Sequence, residues 1–267
     1  MRKYLTSTQN PFVKELIQLN EKSRIRRKKN QFLIEGLREI TFAIKGNYKI
    51  TYLLVDFGIL NETDLENLLS LSKDNIEIIE ISNEIYKKLA FRDTTEGIIA
   101  VAQSKSLSLQ KVKLPKNPLI LVAEAPEKPG NIGALLRTAD AAGIDAVFVA
   151  NPKTDMYNPN IVRSSVGSLF TTNIATGSTT EILSFLKNNT IQIYGAALTA
   201  SVPYTKVDFK NPCAIVVGTE ATGLSAEWLQ NTTKNIIIPM QGIVDSLNVS
   251  VSAAVLIYEA VRQRKLT

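Results

Sequence analysis

The chain has 267 residues, of which 45% are hydrophobic and 21% charged, so it is long enough for two ordinary domains and too apolar for a wholly disordered protein. It has no histidine and one cysteine, Cys213, which excludes imidazole-dependent catalysis, a disulfide framework within the chain and cysteine-rich zinc sites. The net charge of +6 lies in the first half, because residues 1–116 hold 20 basic and 14 acidic side chains whereas residues 117–267 hold 11 of each.

The basic side chains are densest in residues 22–29. Such a cluster can neutralise phosphates and release counterions, which favours nucleic-acid binding; the alternative is a solvated stretch with no partner. The charge asymmetry favours a polyanion, and no large apolar face accompanies the charges as a membrane surface would require. No apolar run approaches a membrane span, and a polar stretch follows Met1, so we expect a cytoplasmic protein. The candidate RNA-binding residues here are Arg24, Arg26, Arg27, Lys28 and Lys29.

Before residue 104, short β-rich runs alternate with helical patterns, which predicts a small α/β domain preceded by a helical, basic arm over residues 1–29. The predicted strands are Phe32–Ile34, Thr51–Val55, Ile76–Ile81 and Gly97–Ala102, and the predicted helices are Arg38–Lys45, Asp64–Leu71 and Glu84–Leu89.

A polar, basic stretch with two prolines follows and predicts a linker, so the expected domains are 1–106 and 118–267 with residues 107–117 between them. The later apolar runs are continuous, as in parallel strands that helices cover on both faces. The predicted strands are Leu119–Ala123, Ala146–Ala150, Ile191–Leu198, Ala214–Gly218 and Asn235–Met240; the predicted helices are Gly133–Ala142, Thr180–Asn188, Ser225–Gln230 and Val249–Arg264.

Ligands in parallel sheets collect where strands end, and three loops there carry polar motifs. The first, residues 129–143, offers Asn131 as a helix cap and Arg137 in an otherwise apolar helix, where pairing with Asp140 is the simpler explanation. The second, residues 218–225, places Gly218 at a strand end and contains Glu220, which is an ordinary surface carboxylate in the simpler reading. The third, residues 238–252, contains Ser246 and Asn248, two good helix caps.

Taken together, the three loops resemble, in order and wording, the signature motifs of the SpoU/TrmH family of RNA 2′-O-ribose methyltransferases, of the SPOUT superfamily. The matching stretches are Asn-Ile-Gly-Ala-Leu-Leu-Arg-Thr-Ala-Asp, Gly-Thr-Glu-Ala-Thr-Gly-Leu-Ser and Ile-Pro-Met-Gln-Gly-Ile-Val-Asp-Ser-Leu-Asn-Val-Ser-Val. The first half is similar to the family's RNA-binding extension, with less specific sequence motifs at Ser7–Lys14 and Phe32–Gly36.

The resemblance implies an α/β fold: a C-terminal parallel-sheet domain with a deep trefoil knot, preceded by a small α/β, L30e-like RNA-binding domain. It implies S-adenosylmethionine as cofactor and no metal, because the sulfonium is already an activated leaving group. The implied cofactor positions are Leu198, Gly218, Ile238 and Leu247. A homodimer through the knotted domain, with Val249–Arg264 in the interface and each site completed across it, is implied as well.

For catalysis, the resemblance assigns Arg137 to the ribose 2′-hydroxyl. Because a guanidinium is normally protonated, stabilisation of the developing alkoxide is favoured slightly over removal of the proton. Asn131, Ser246 and Asn248 are expected to position Arg137 and the ribose, and Glu220 to orient the loops or pair with Arg137.

The segment Asn160–Phe170 is similar to a family segment near the RNA, with Arg163 and Ser165 as candidate contacts; a helix-surface arginine is the alternative. One departure is that the first motif is often introduced by Asp-Pro, where this loop reads Ala-Pro-Glu-Lys-Pro-Gly over residues 125–130. The two-domain layout favours ribosomal RNA of the large subunit. Transfer RNA methylation and a catalytically inactive assembly factor are the alternatives.

Overall fold

The computed structural model describes residues 3–91, 96–199 and 201–265. Its first half consists of β1 (Lys3–Leu5), α1 (Pro11–Glu21), α2 (Ser23–Lys29), β2 (Gln31–Glu35), α3 (Leu37–Lys45), β3 (Ile50–Val55), α4 (Glu62–Ser70), β4 (Glu77–Ile81), α5 (Asn83–Leu89) and β5 (Ile98–Gln103).

After a 3-10 turn at Leu109–Lys111, the second half consists of β6 (Leu119–Glu124), α6 (Pro129–Ala142), β7 (Ala146–Ala150), α7 (Pro159–Ser164), α8 (Ser168–Thr171), β8 (Ile174–Gly177), α9 (Thr179–Asn188), β9 (Gln192–Ala196), β10 (Ser201–Pro203), a 3-10 turn at Tyr204–Lys206, β11 (Cys213–Val217), α10 (Ala226–Asn231), β12 (Lys234–Ile237) and α11 (Val249–Lys265).

Two compact units divide the chain, and the first contains residues 1–106 together with residues 155–171. Its sheet has the strand order β1-β4-β3-β5-β2, in which β2 and β3 pair antiparallel to β5 and the other pairs are parallel. The predicted basic arm is two helices preceded by the short strand β1. Asn10 caps α1 by accepting from the Phe12 N–H at 2.9 Å, and Asn30 ends α2 in the left-handed conformation.

Residues 155–171 come from the half of the sequence that was assigned to the second domain, but they pack within the first unit. The Tyr157 ring stacks on Phe32 with centroids 4.4 Å apart, and Phe170 meets Tyr48 edge-on at 5.1 Å. A Cβ on Gly46 would lie 2.1 Å from the Phe170 carbonyl oxygen, so only glycine permits this approach. The predicted domain 118–267 is therefore interrupted, because these aromatic side chains are buried in the first unit.

The second unit contains residues 107–154 and 172–267. Its seven-stranded sheet is parallel throughout, in the order β10-β12-β9-β11-β6-β7-β8. Every residue of β6, β7 and β11 is buried, which explains their continuous apolar sequence. The short strands β8 and β10 were not predicted.

The stretch predicted as a linker also belongs to this unit. Leu109 is buried in the core, Val112 and Leu114 pack against it, and the Leu107 carbonyl accepts from the Thr176 N–H at 2.7 Å. This polar stretch is therefore a packed part of the second unit and not a free linker.

The course of the chain after β12 returns towards the middle of the sheet. Strand β12 lies next to the edge strand β10, whereas the following helix, α11, packs on α6, β6 and β11. A return of this kind is what the expected trefoil knot requires. Within the described residues, no helix is long and apolar enough to cross a membrane.

Candidate active site

The three loops with polar motifs lie at the carboxyl ends of parallel strands in the second unit. Residues 129–142 of the first motif form α6, so the first loop is the connection from β6 to α6, residues 125–128. The second loop follows β11, and the third leads from β12 to α11. Because β6 and β11 are neighbours and β9 separates β11 from β12, the loops meet at the same edge of the sheet.

A cavity of about 640 Å³ opens at this edge. Its size is within the range of small-molecule and cofactor sites. The wall combines the ends of β9, β11 and β12 with the second and third loops. All four predicted cofactor residues line it: Leu198, Gly218, Ile238 and Leu247.

Gly218 lies where the second loop folds back on itself. Thr219 and Gly223 exchange backbone hydrogen bonds of 3.0 and 3.1 Å, which closes a tight turn with Gly223 at a φ of +68°. A Cβ on Gly218 would lie 2.2 Å from the Gly223 carbonyl carbon. The turn that forms this wall of the cavity therefore requires glycine at 218.

A network of side chains connects the three loops at the mouth of the cavity. The Glu220 carboxylate accepts hydrogen bonds from the Asn131 amide and from the Lys128 ammonium, one on each oxygen. The side-chain oxygen of Asn131, Oδ1, in turn accepts a hydrogen bond from Asn248 Nδ2 at 3.3 Å. Lys128 and Asn131 belong to the first loop and its helix, Glu220 to the second loop and Asn248 to the third. The predicted residues Asn131, Glu220 and Asn248 thus lie together.

Lys128 was not predicted as a site residue. The hydrogen bond and charge of Glu220 raise the pKa of Lys128, so the ammonium stays charged beside its partner. The sequence signal was the unusual first loop, in which a lysine precedes Pro129. Glu124 was missed as well: its buried carboxylate, at the end of β6, accepts from the Ser225 N–H at 2.8 Å and holds the start of α10.

The capping roles differ between the two asparagines. Helix α6 begins at Pro129, so Asn131 lies inside its first turn and the predicted cap at Asn131 is wrong. Asn248 does cap α11, because its Oδ1 accepts from the Ser250 N–H at 2.9 Å. Ser246 lines the cavity and donates to its neighbour Asp245 at 2.9 Å.

Arg137 lies apart from this network. It follows Asn131 by six residues in α6, which turns it about 120° away around the helix at about 100° per residue. Its side chain is exposed, and the Glu220 carboxylate is engaged by Lys128 and Asn131, so the expected pairing of Arg137 with Glu220 is not found. One chain therefore brings together every predicted catalytic residue except Arg137.

The predicted RNA-binding residues fall into two groups. Arg24, Arg27, Lys28 and Lys29 are exposed on α2, with Lys29 paired to Glu15 at 3.0 Å. Arg26 is 4% exposed; it donates to the Leu19 and Asn20 carbonyls and pairs with both oxygens of Asp155. The prediction that Arg26 binds RNA is therefore corrected, because its guanidinium is buried and hydrogen-bonded inside the first unit.

The two candidates in α7 and directly after it differ in the same way. Arg163 is exposed, with its guanidinium carbon 4.8 Å from the centre of the Phe91 ring. Ser165 is 1% exposed and donates to the Val162 carbonyl at 2.8 Å, so it is corrected to an interior residue.

The chemistry available here is positioning and electrostatics. Burial raises the pKa of the Cys213 thiol to about 11, so this cysteine is not a ready nucleophile. The described residues contain no group of His, Cys, Asp or Glu side chains that could hold a metal ion. What the edge of the sheet offers is an open cavity with amides, hydroxyls and carboxylates at its mouth.

Comparison with known proteins identifies the family. The SpoU rRNA Methylase family model matches residues 118–258, and the model of the MRM3-like substrate binding domain matches residues 10–100. The 23S rRNA (guanosine(2553)-2′-O)-methyltransferase RlmP of Bacillus subtilis is 32% identical over 256 residues, covering 96% of this chain and 98% of RlmP.

Solved structures agree over nearly the whole chain. A crystal structure of an RNA 2′-O ribose methyltransferase superposes with a TM-score of 0.85 at 40% identity, covering 98% of this chain and 99% of the other. The SpoU methyltransferase AviRb from Streptomyces viridochromogenes, in complex with the cofactor AdoMet, superposes with a TM-score of 0.89 at 27% identity. The match covers 96% of this chain and 99% of AviRb. The chain therefore belongs to the SpoU rRNA methylase family, and its fold is that of the SPOUT methyltransferases.

Proposed function

We propose that this protein transfers a methyl group from S-adenosylmethionine to a ribose 2′-hydroxyl of large-subunit ribosomal RNA. The observation that carries the proposal is the cavity at the carboxyl edge of the parallel sheet, with Asn131, Glu220 and Asn248 linked at its mouth. RlmP, which is similar over 96% of this chain and therefore over both units, is named for methylation of 23S rRNA.

The residues at the cavity suit S-adenosylmethionine. Leu198, Ile238 and Leu247 offer apolar surface for a purine, and the turn at Gly218 keeps a side chain out of the wall. Asp245 also lines the cavity and supplies negative charge for a sulfonium, whereas the charge of Glu220 is balanced by Lys128. When bound, the cofactor supplies a methyl group whose bonding electron pair leaves with sulfur.

The protein's own groups hold the ribose and manage its proton. Asn131, Ser246 and Asn248 donate and accept hydrogen bonds that orient the 2′-hydroxyl, which supplies acceleration because reacting atoms held at about 3–3.5 Å need little further ordering. Arg137 stabilises the developing alkoxide as a cation or accepts the proton. The new bond joins the 2′-oxygen to the methyl carbon as the hydroxyl proton leaves.

The working form is a homodimer, with its site completed by the partner. Two opposite faces of α11 are apolar: one is buried at Ala253, Leu256, Ile257 and Ala260, and the other leaves Val251 and Tyr258 about half exposed. Because Arg137 lies on α6 about 120° around the helix from Asn131 and does not line the cavity of its own chain, the proposal is that each Arg137 serves the cavity of the other chain. The proposal includes action in the cytoplasm, where we expect the ribosomal RNA substrate.

The test is methyl transfer from labelled S-adenosylmethionine to ribosomal RNA and to transfer RNA, in separate reactions. We expect label in ribosomal RNA at one linkage that resists alkaline hydrolysis, and none with Arg137→Ala. Label in transfer RNA alone, or in neither RNA, would overturn the substrate or the reaction. Near-full activity of Arg137→Lys would show that guanidinium geometry is not required.

A further inference from the structure

Phe91 is an exposed aromatic side chain in the first unit, where it directly follows Ala90 at the end of α5. Its side chain is 45% exposed, and its ring is contacted by the exposed guanidinium of Arg163, 4.8 Å from the ring centre. The two residues are distant in sequence and meet because residues 155–171 pack in the first unit.

The backbone that carries Phe91 is fixed on two sides. The Phe91 N–H donates to the Glu35 carboxylate at 2.8 Å, and Asn20 Nδ2 donates to the Leu89 carbonyl at 2.9 Å. Both bonds reach residues of other elements, α1 and β2. The ring is therefore presented on an anchored main chain, which lowers the entropy lost when a ligand binds to it.

The local charge suits a nucleic acid. Lys87 and Lys88 are exposed in the last turn of α5, before Leu89 and Ala90, and Arg163 adds a third cation. The Glu35 carboxylate accepts a hydrogen bond from the Phe91 N–H. Aromatic side chains among cations are the combination that binds single-stranded nucleic acids, since the cations attract phosphates and the rings stack on bases.

The shape limits how a ligand can bind. The recess beside Phe91, between Asn20, Leu89 and Arg163, holds only about 20 Å³, enough for one water molecule. A base cannot enter it, so binding has to occur by stacking on the exposed planes of the Phe91 ring or the Arg163 guanidinium.

We propose that Phe91 and Arg163 form a stacking site for one unpaired nucleobase of the RNA substrate. The proposal rests on RNA being the substrate, and it adds a contact made by residues of the first unit, none of which lines the cavity of the second unit. Stacking accepts any base, because every base has a π-face, so the site holds the RNA without reading its sequence.

The experiment measures binding of the full-length protein to a fluorescent single-stranded oligoadenylate and to a fully paired RNA duplex of equal length. Phe91→Leu keeps an apolar side chain but removes the ring, and we expect it to weaken binding of the single strand by about five- to hundredfold with the duplex unaffected. Phe91→Trp should bind the single strand as tightly as the wild type. Tyr4→Leu is the matched control, since Tyr4 is also an exposed aromatic side chain of the first unit, at 56%.

Salt dependence separates stacking from charge. Phe91→Leu should leave the slope of log affinity against log salt unchanged, whereas Arg163→Gln should weaken binding and lower the slope by about one phosphate contact. Arg163→Lys should keep most of the slope but lose the part of the affinity that needs a planar group.

The proposal is overturned if Phe91→Leu binds the single strand like the wild type, or if it weakens both RNAs equally. It is also overturned if Tyr4→Leu has the same effect as Phe91→Leu. Unchanged thermal unfolding of Phe91→Leu and recovery by Phe91→Trp exclude a folding defect. These binding measurements need no methyl transfer, so failure of the proposed reaction would appear separately, in the labelling assay of the wild type.

Discussion

Lys128 connects the first two loops through a single carboxylate. Its ammonium contacts one oxygen of Glu220 while Asn131 contacts the other, so the lysine determines how Glu220 faces the asparagine. An exposed ion pair of this kind contributes little to stability, because water screens it. We therefore expect Lys128 to matter for the orientation of the Glu220 carboxylate and not for the stability of the fold.

Lys128→Met should therefore lower kcat by about ten- to hundredfold, since small displacements of positioning groups have effects of that size, with little change in Tm. Lys128→Arg should restore most of the activity by keeping a cation at Glu220. Steady-state methylation kinetics provide the measurement, and Lys153→Met, an exposed lysine of the same unit, is the control. An unchanged kcat for Lys128→Met would rule out the positioning role.

The tight turn of the second loop requires a residue without a side chain at Gly218. A methyl group there would overlap the Gly223 backbone, and such overpacking costs about 1–3 kcal/mol when the structure cannot move aside. We expect Gly218→Ala to weaken S-adenosylmethionine binding about tenfold or more by calorimetry. Gly130→Ala is the matched control, because a Cβ there meets no described atom within 4 Å. Equal cofactor affinities for the two variants would contradict this account.

At the scale of elements, α2 has two roles that its sequence does not separate. Arg24, Arg27 and Lys28 point to solvent, whereas Arg26 is turned inward and holds Asp155 at 2.7 Å. The helix is thus both a basic surface and an attachment for residues 155–171 within the first unit.

Arg26→Met should lower the free energy of unfolding by about 3 kcal/mol, because it leaves the Asp155 carboxylate largely buried without its cation. Urea unfolding followed by circular dichroism provides the measurement, with Arg24→Met, expected to change it by about 0.5 kcal/mol or less, as control. The double variant Arg26→Met/Asp155→Leu should recover much of the loss. If it does not, the carbonyl contacts of Arg26 carry the effect instead of the ion pair.

At the scale of the whole molecule, the position of Arg137 gives a prediction about subunit complementation. If the site is shared across a dimer, Arg137→Ala and Asn248→Ala should each be nearly inactive, but together they should regain activity. Random pairing makes half of the dimers mixed, and one of the two sites in each mixed dimer is intact, so about a quarter of wild-type activity is expected.

The assay is methyl transfer after the two variants are unfolded and refolded together. Adding Val251→Asp to both chains should abolish the recovery, because it places a charge on the half-exposed apolar face of α11. Light scattering should then report a monomer. No recovery in mixtures that light scattering shows to be dimeric would place all catalytic groups in one chain.

The sequence predicted much of the second unit, for definite reasons. The strands β6, β7 and β11 were recognisable because both of their faces are buried and their residues are apolar without interruption. The short strands β1, β8 and β10 were not, since three or four residues carry no periodicity. The four expected cofactor positions line one cavity because each belongs to a loop or strand end at the same edge of the sheet.

By itself, then, the sequence determined the fold class, the family and the loops that form the site, because the apolar pattern of a buried strand and the sequence motif of a loop are local properties. Only the tertiary structure decided that Arg26 and Ser165 are interior residues, that residues 155–171 pack in the first unit, and that Lys128 contacts Glu220. Each of these depends on which distant residues meet. The identity of an arginine or a serine does not specify whether its partner is solvent, a carboxylate or a main-chain carbonyl.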